Sequence, residues 1–226
     1  LTASAVYLVN DLADLDSDRR HPRKRKRPFA AGDIPLYYGV ALSPLLLCFG
    51  FLIANYVNNG FLLWLLGYLF ITTLYTFFLK KLVLIDCLTL AFLYTLRIVA
   101  GAAAVEQELS FWLVAFAVFL FLSLAFIKRN AEINAAGVTQ NGKINGRGYI
   151  EGDGPLVLVM GVAACYSAVL VFALYLNSEA ITLLYKLPVI MWMEVPILLF
   201  WMSWMWLQSH RANMHDDPLV FAVKDP

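Results

Sequence analysis

Residues 155–176 read PLVLVMGVAACYSAVLVFALYL, a run without a single charged side chain. About 20 predominantly apolar residues in a helix cross the hydrocarbon core of a bilayer. A strand of an outer-membrane barrel needs only about ten residues, and they alternate in polarity. The run therefore predicts a transmembrane helix and an all-α, polytopic membrane protein.

Five further stretches share this apolar character. The six predicted spans are residues 35–57, 60–79, 82–105, 110–127, 155–176 and 188–207. Residues 1–15 begin apolar and turn acidic, which predicts part of a seventh helix whose start is missing. There is no initiator Met and no signal peptide. We therefore expect an N-terminally truncated fragment that forms one membrane-embedded helical bundle over residues 1–226.

Composition supports this class. Of the 226 residues, 61% are hydrophobic and 15% are charged, whereas a typical soluble domain is about 25% charged. The balance excludes a disordered chain, a nucleic-acid-binding tail and a small disulfide scaffold. The three cysteines lie singly in apolar stretches, where packing is their expected role.

The positive charges predict the orientation. All of the 17 Lys and Arg residues except Arg97 and Lys186 fall on one side of the predicted spans. Loops rich in Lys and Arg stay cytoplasmic. We expect an integral, multi-pass protein of a bacterial-type inner membrane, in contact with membrane lipids, with its active site facing the cytoplasm.

An acidic pattern ends the opening helix: Asn10-Asp11-x-x-Asp14-x-x-x-Asp18. On a continuous helix Asp11, Asp14 and Asp18 share one face, and like charges there repel each other unless a cation lies between them. Mg²⁺ takes oxygen ligands and is usually shared between one or two carboxylates and substrate phosphates. The pattern predicts that these three residues are metal ligands. The alternative is a solvated helix end at the membrane surface.

A basic segment follows at residues 19–27. One interpretation is a topology determinant that also touches anionic lipid, worth about 1 kcal/mol per basic residue near the surface. The other is a clamp for a diphosphate beside the metal. The two interpretations are compatible.

The run Asn10-Asp11-x-x-Asp14-x-x-x-Asp18-Arg19, followed by Arg27-Pro28 and Gly32, resembles the first Asp-rich motif of the UbiA superfamily of intramembrane prenyltransferases. The resemblance implies an all-helical bundle that binds a polyprenyl diphosphate through Mg²⁺ at two Asp-rich motifs. It implies transfer of the polyprenyl group from the diphosphate to a polar or aromatic acceptor. Asn10, Asp11, Asp14 and Asp18 would form the first motif.

The second motif of many family members, D-x-x-x-D, is absent because Leu90 stands four residues after Asp86. The candidate region instead contains Tyr75, Lys80, Asp86 and Arg97. Ionisable residues inside a membrane are functional candidates by default. The alternative is a structural Asp86 that caps its helix or pairs with Lys80.

The basic run together with Tyr75, Lys80 and Asp86 looks closest to the decaprenyl-phosphate phosphoribosyltransferase-like branch of the superfamily. That branch implies an alternative activity, phosphoribosyl transfer from phosphoribosyl diphosphate to a polyprenyl phosphate. Two weaker cytoplasmic patches, residues 128–132 and 146–153, could cap the site. The predicted phosphate-binding residues are Asn10, Arg19, Lys24, Tyr75, Lys80, Asp86, Arg97, Lys128, Arg129 and Arg147, and the predicted catalytic residues are Asp14 and Asp86.

Three other classes fit less well. A membrane transporter would place charges at the bilayer midplane in paired repeats, and the sequence has no evident repeat. A CDP-alcohol phosphotransferase needs an Asp-Gly-x-x-Ala-Arg element, which is absent. A non-catalytic scaffold leaves the aligned aspartates unexplained.

Overall fold

A computed structural model describes residues 1–20, 24–135, 148–178, 181, 188–214, 218 and 221. Every regular element in these ranges is a helix, which confirms the all-α prediction. The α-helices are α1 (Thr2–Ala13), α2 (Leu15–Arg20), α3 (Pro28–Ala31), α4 (Leu36–Val57), α5 (Asn59–Phe77), α6 (Ile85–Ala104), α7 (Phe111–Ala135), α8 (Gly154–Leu176), α9 (Pro188–Met191) and α10 (Glu194–His210). Short 3₁₀ turns cover Lys24–Lys26, Leu79–Lys81 and Glu151–Asp153.

Six helical stretches are long and apolar enough to cross a membrane, as the sequence predicted. They are Leu36–Val57, Asn59–Phe77, Ile85–Ala104, Phe111–Asn134, Glu151–Leu176 and Val189–His210. The fourth differs most from its predicted range, because α7 continues to Ala135 instead of ending at Ile127. The chain is therefore a multi-pass membrane protein.

The chain divides into two compact units. Unit 1 comprises Leu1–Lys80 and Ala100–Gln107, and unit 2 comprises Lys81–Val99 and Glu108–Pro226. That they act as one domain over residues 1–226 stays a prediction.

Small residues shape the packing of unit 1. α1 packs against α4, and the α4 face includes the buried residues Gly39, Gly50 and Ala54. Small side chains let two helix backbones approach closely inside a membrane. A Cβ on Gly50 would run into Thr2, and one on Gly39 would lie 3.0 Å from the ring of Phe29. This close packing fixes the position of α1.

Local signals set the helix ends of unit 1. α3 begins with Pro28 and is capped at its C-terminal end by Gly32, whose φ of 85° suits glycine. The side chain of Asn58 accepts a hydrogen bond of 2.7 Å from the Phe61 N–H at the start of α5. Its amide also donates to the Ala103 carbonyl at 2.9 Å. Asn58 thus caps α5 and ties it to the end of α6.

Unit 2 is built around α7, α8 and α10, which pack together. A chain of buried hydrogen bonds joins them: the Trp206 indole N–H donates to Ser123 Oγ at 3.0 Å, and that hydroxyl donates to the Gly161 carbonyl at 2.9 Å. Asn130 Nδ2 donates to Ser209 Oγ at 2.9 Å. These polar contacts fix the register of the three helices. In a membrane, apolar side chains gain little by facing another helix instead of lipid, so apolar burial alone does not select one register.

Candidate functional site

The acidic motif lies where α1 gives way to α2 in unit 1. The helix is interrupted at Asp14, whereas the sequence predicted one continuous face. Hydrogen bonds of 2.9 Å from Asp14 N–H to the Asn10 carbonyl and of 2.8 Å from Asp18 N–H to the Asp14 carbonyl bracket the break. Because both bonds have α-helical spacing, Asp11 and Asp18 stay on the same side of the chain.

Arg27 joins the two outer carboxylates of the motif. Its Nη1 donates to Asp11 Oδ1 at 2.9 Å and to Asp18 Oδ2 at 2.7 Å. Arg27 immediately precedes α3, whose Phe29 is buried against Gly39 of α4. The anchored α3 therefore carries the arginine back to the acidic helix end, and two carboxylates converge on one nitrogen atom.

Asp14 has a separate cationic partner, Lys80. The ammonium group of Lys80 donates to Asp14 Oδ1. Lys80 lies in the 3₁₀ turn after α5, and its side chain is only 11% exposed. Two residues that the sequence predicted to act at the site, 66 positions apart, are thus in direct contact.

The three carboxylates do not converge on a single point. Among the described residues, no three His, Cys, Asp or Glu side chains cluster closely enough to hold a metal ion by themselves. Asp11 and Asp18 do share one cation, the Arg27 guanidinium. Mg²⁺ takes one or two carboxylates and completes its shell with water and phosphate oxygens. This donor set fits an ion shared with a substrate, and a three-aspartate metal site stays a prediction.

A second polar centre lies in unit 2, where Asp86 of α6 meets Arg129 of α7. Arg129 Nη2 is 2.6 Å from Asp86 Oδ2, and both side chains are 0% exposed. Arg129 also pairs with Glu132, one helical turn further along α7. Buried charges persist only when they are paired and hydrogen-bonded. Asp86 thus has a partner that the sequence interpretation, which considered Lys80, did not identify.

Tyr149 completes this centre. Its hydroxyl donates to Asp86 Oδ1 at 2.6 Å and accepts a hydrogen bond of 2.9 Å from the Leu84 N–H. The Arg129 guanidinium lies 5.4 Å from the centre of its ring. Burial, reinforced by the hydrogen bond to Asp86, raises the pKa of Tyr149 above its usual value. The phenol therefore stays protonated and keeps its donor role.

The remaining predicted residues are more dispersed. Asn10, Lys24, Tyr75 and Lys128 are half-buried, whereas Arg19 and Arg97 are exposed. The Arg97 guanidinium lies 5.2 Å from the centre of the Tyr94 ring. Lys128 borders an apolar cleft with Leu90, Tyr94 and Leu124. Arg147 lies outside the described residues. The phosphate-binding roles of this set stay predictions.

Sequence reasoning gave no specific role to Arg27, Glu132 or Tyr149. Arg27 was one of seven basic residues in a run, and position in the run does not indicate which one turns back to the aspartates. Glu132 stands three residues after Arg129, a spacing that predicts a helical ion pair. Tyr149 carried no signal beyond its place beside Gly148, so the structure alone reveals its contacts.

The sequence profile of the UbiA prenyltransferase family matches residues 1–223. The chain belongs to the UbiA prenyltransferase family. This confirms the resemblance carried by the acidic motif at Asn10–Asp18 and extends it over nearly the whole chain. Members of this family are transferases.

Three relatives show how far the likeness reaches. Protein y4nM of Sinorhizobium fredii is 39% identical over 226 residues, which cover all of this chain and 44% of that protein. Nodulation protein NoeC of Azorhizobium caulinodans is 32% identical over 228 residues, covering 99% of this chain and 73% of NoeC. Decaprenyl-phosphate phosphoribosyltransferase of Mycolicibacterium smegmatis is 33% identical over 136 residues, covering 60% of this chain and 43% of that enzyme. The chain thus spans less than half the length of y4nM, and its match to the phosphoribosyltransferase covers less than half of that enzyme.

Proposed function

We propose that this UbiA-family chain transfers a phosphoribosyl group from phosphoribosyl diphosphate to a polyprenyl phosphate. The observation that carries the proposal is the convergence of Asp11 and Asp18 on one cation, with Lys80 beside Asp14 in the same unit. Acidic and basic side chains placed together suit a metal-bound diphosphate. The name of the M. smegmatis relative supports the phosphoribosyl branch over prenyl transfer.

The residues of unit 1 fit the chemistry of a diphosphate leaving group. Enzymes of this family generally use Mg²⁺, and Asp11 and Asp18 would hold the ion, which supplies positive charge to the phosphate oxygens when bound. Lys80 provides a second, fixed positive charge. Its low exposure strengthens the charge's effect on a bound anion, because less water screens it.

In the proposed reaction an oxygen of the lipid phosphate attacks the anomeric carbon of the ribose. The bond between that carbon and the diphosphate breaks, and the diphosphate departs with the bonding electrons. Negative charge grows on the leaving group as this bond stretches. Fixed cations near that position stabilise the transition state more than the ground state, which is the role we assign to Lys80.

Prenyl transfer is the competing activity, since it uses the same leaving group. In that reaction an acceptor attacks the allylic carbon of a polyprenyl diphosphate. The discriminating experiment incubates membranes containing the full-length protein with phosphoribosyl diphosphate labelled in the ribose, or with a polyprenyl diphosphate labelled in the prenyl chain. Label from the ribose in a lipid product supports the proposal. Prenyl label in an acceptor, with no ribose label in lipid, replaces it by prenyl transfer.

Replacement of Asp14 tests the acidic motif itself. We expect Asp14→Asn to lower turnover at least about a hundredfold, because Lys80 loses the carboxylate that holds its ammonium group in place for the leaving group. Asp16→Asn is the matched control, since Asp16 is exposed on the next turn. Turnover of Asp14→Asn equal to that of the control would refute the role of Asp14.

A further inference from the structure

The link between α5 and α6 has an unusual backbone. It begins with the 3₁₀ turn Leu79–Lys81 and reaches α6 through Leu84, whose φ is +67°. A left-handed conformation is costly for a bulky residue such as leucine and persists when surrounding contacts hold it. The contacts that hold Leu84 therefore indicate which residues fix the conformation of this link.

Two consecutive residues before α8 provide those contacts. Tyr149 accepts a hydrogen bond from the Leu84 N–H and donates one to Asp86, the second residue of α6. Gly148 lies so close to the link that a Cβ on it would be 2.6 Å from the Lys81 carbonyl oxygen and 3.0 Å from Val83 Cγ2. Gly148 and Tyr149 thus hold the link at both of its ends.

We propose that Tyr149 is a positioning residue that fixes the turn presenting Lys80 to the phosphate groups of the substrate. Lys80 and Lys81 belong to the same 3₁₀ turn, so a shift of Lys81 changes the backbone on which Lys80 stands. This inference deepens the proposed function and rests on it only in taking the bound group to be a diphosphate.

The hydroxyl of Tyr149, rather than its ring, carries the positioning role. The ring packs under Arg129 and remains in Tyr149→Phe. The hydroxyl makes the bonds to Leu84 and Asp86. Asp86 keeps its ion pair with Arg129 in that variant, so the substitution releases the link while leaving the buried ion pair in place.

Hydrogen exchange of the full-length protein in lipid nanodiscs tests the first half of the proposal. In Tyr149→Phe we expect amides in residues 79–86 to exchange roughly tenfold faster, corresponding to the loss of about one hydrogen bond. Exchange in α8 and α10 should not change. Tyr166→Phe is the matched control, because it also removes a tyrosine hydroxyl, which lies 3.2 Å from Ser203 Oγ on an exposed surface.

Binding of inorganic diphosphate in the presence of Mg²⁺ tests the second half. Diphosphate leaves in both phosphoribosyl and prenyl transfer, so the probe does not depend on which acceptor is used. We expect Tyr149→Phe to bind it roughly tenfold more weakly, and Tyr166→Phe to bind it like the wild type. Gly148→Ala would press a Cβ against the Lys81 end of the same link and should weaken binding as well.

Each result has a defined meaning. Faster exchange in residues 79–86 together with weaker diphosphate binding supports the proposal. Unchanged exchange there overturns it, and so does faster exchange with unchanged affinity, since Tyr149 would then be only structural. If the wild-type protein binds no diphosphate, the proposed function fails together with the phosphate role of Lys80. The exchange data still decide in that case whether Tyr149 holds the link.

Discussion

The two units each contain a polar centre, and the centres differ in their access to solvent. In unit 1 the acid cluster, made of Asp11, Asp14, Asp18, Arg27 and Lys80, is partly open: the Asp11 side chain is 31% exposed and that of Arg27 is 40% exposed. In unit 2 the buried pair, made of Asp86 and Arg129, is 0% exposed on both sides. Similar ionic chemistry therefore serves different purposes. An open cluster can exchange partners with a ligand, whereas a sealed pair joins helices.

The energetics follow from this difference. Exposed ion pairs contribute about 0–1 kcal/mol to stability because water screens them. Removing one member of a buried pair costs about 3–5 kcal/mol because the other charge stays desolvated. Substitution of Asp11, whose pair with Arg27 is open to solvent, should therefore affect catalysis more than folding, whereas substitutions in the buried pair should affect folding.

The largest expected effect is on the buried pair. Asp86→Ala should lower the free energy of unfolding by about 3–5 kcal/mol, because Arg129 loses its fully buried carboxylate partner and keeps only the partly exposed Glu132. Denaturant unfolding in detergent micelles measures the change. The double variant Asp86→Leu with Arg129→Met, which removes both charges, should recover most of the loss. A decrease below about 1 kcal/mol in Asp86→Ala would abolish the distinction between the two centres.

The next effect concerns the acid cluster. Asp11→Asn should reduce turnover by about 10²–10³-fold, because it removes one of the two carboxylates that would hold the Mg²⁺ beside the leaving group, and should change unfolding by less than about 1 kcal/mol. Steady-state transfer kinetics and a melting curve on the same preparation separate the two quantities. Asp33→Asn, at an exposed position of unit 1, is the control. A large loss of stability in Asp11→Asn would make this centre resemble the buried pair.

A neutral core substitution sharpens the comparison within unit 2. A Cβ in Gly161→Ala would run into the Trp206 ring and lie 2.7 Å from Phe126 Cβ. Overpacking of this kind costs about 1–3 kcal/mol, so the melting temperature should fall while turnover per folded molecule stays constant. Gly101→Ala, at a position of unit 1, is the control for a glycine substitution without overpacking, because a Cβ there has no atom within 4 Å. A loss as large as that of Asp86→Ala would show that packing, and not charge, makes unit 2 sensitive.

The smallest expected effect is on a neutral tie in unit 1. Asn58→Ala removes the cap of α5 and the bond to Ala103, and should cost about 1 kcal/mol. Asn58→Asp keeps the acceptor for the Phe61 N–H but loses the donor to the Ala103 carbonyl. Unfolding measurements on both variants therefore divide the loss of stability between the helix cap and the hydrogen bond to Ala103, which is the tie. Equal destabilisation by the two variants would assign the whole effect to the tie.

Apolar runs predict the six spans well because helix length and hydropathy are local properties of the sequence. They predict the end of α7 poorly. The run of apolar residues stops at Ile127, but Arg129 and Asn130 beyond it are 0% and 2% exposed. Their partners, Asp86 and Ser209, lie far away in sequence. Long-range pairing therefore extended the helix past the point where hydropathy ends.

In the candidate site, too, the local sequence predicts one part of the arrangement and long-range contacts determine the rest. Spacing along one helix placed Asp11 and Asp18 on a common side, and the structure retains this arrangement across the break at Asp14. Their contact with Arg27 depends on how α3 returns to pack on α4, which is a tertiary property. The role of Tyr149 likewise depends on the left-handed backbone of Leu84, and nothing in the local sequence indicates it.

Because Arg27 already contacts Asp11 Oδ1 and Asp18 Oδ2, another cation that binds these same two oxygen atoms must displace the guanidinium group. Arg27 and the external cation then compete for that position. The net affinity of the external cation is the free energy of its contacts with the two carboxylates minus that of the contacts that Arg27 loses. The displaced arginine retains its charge. An incoming ion that brings its own anion therefore gives the released guanidinium a new counter-charge, which a bare ion does not.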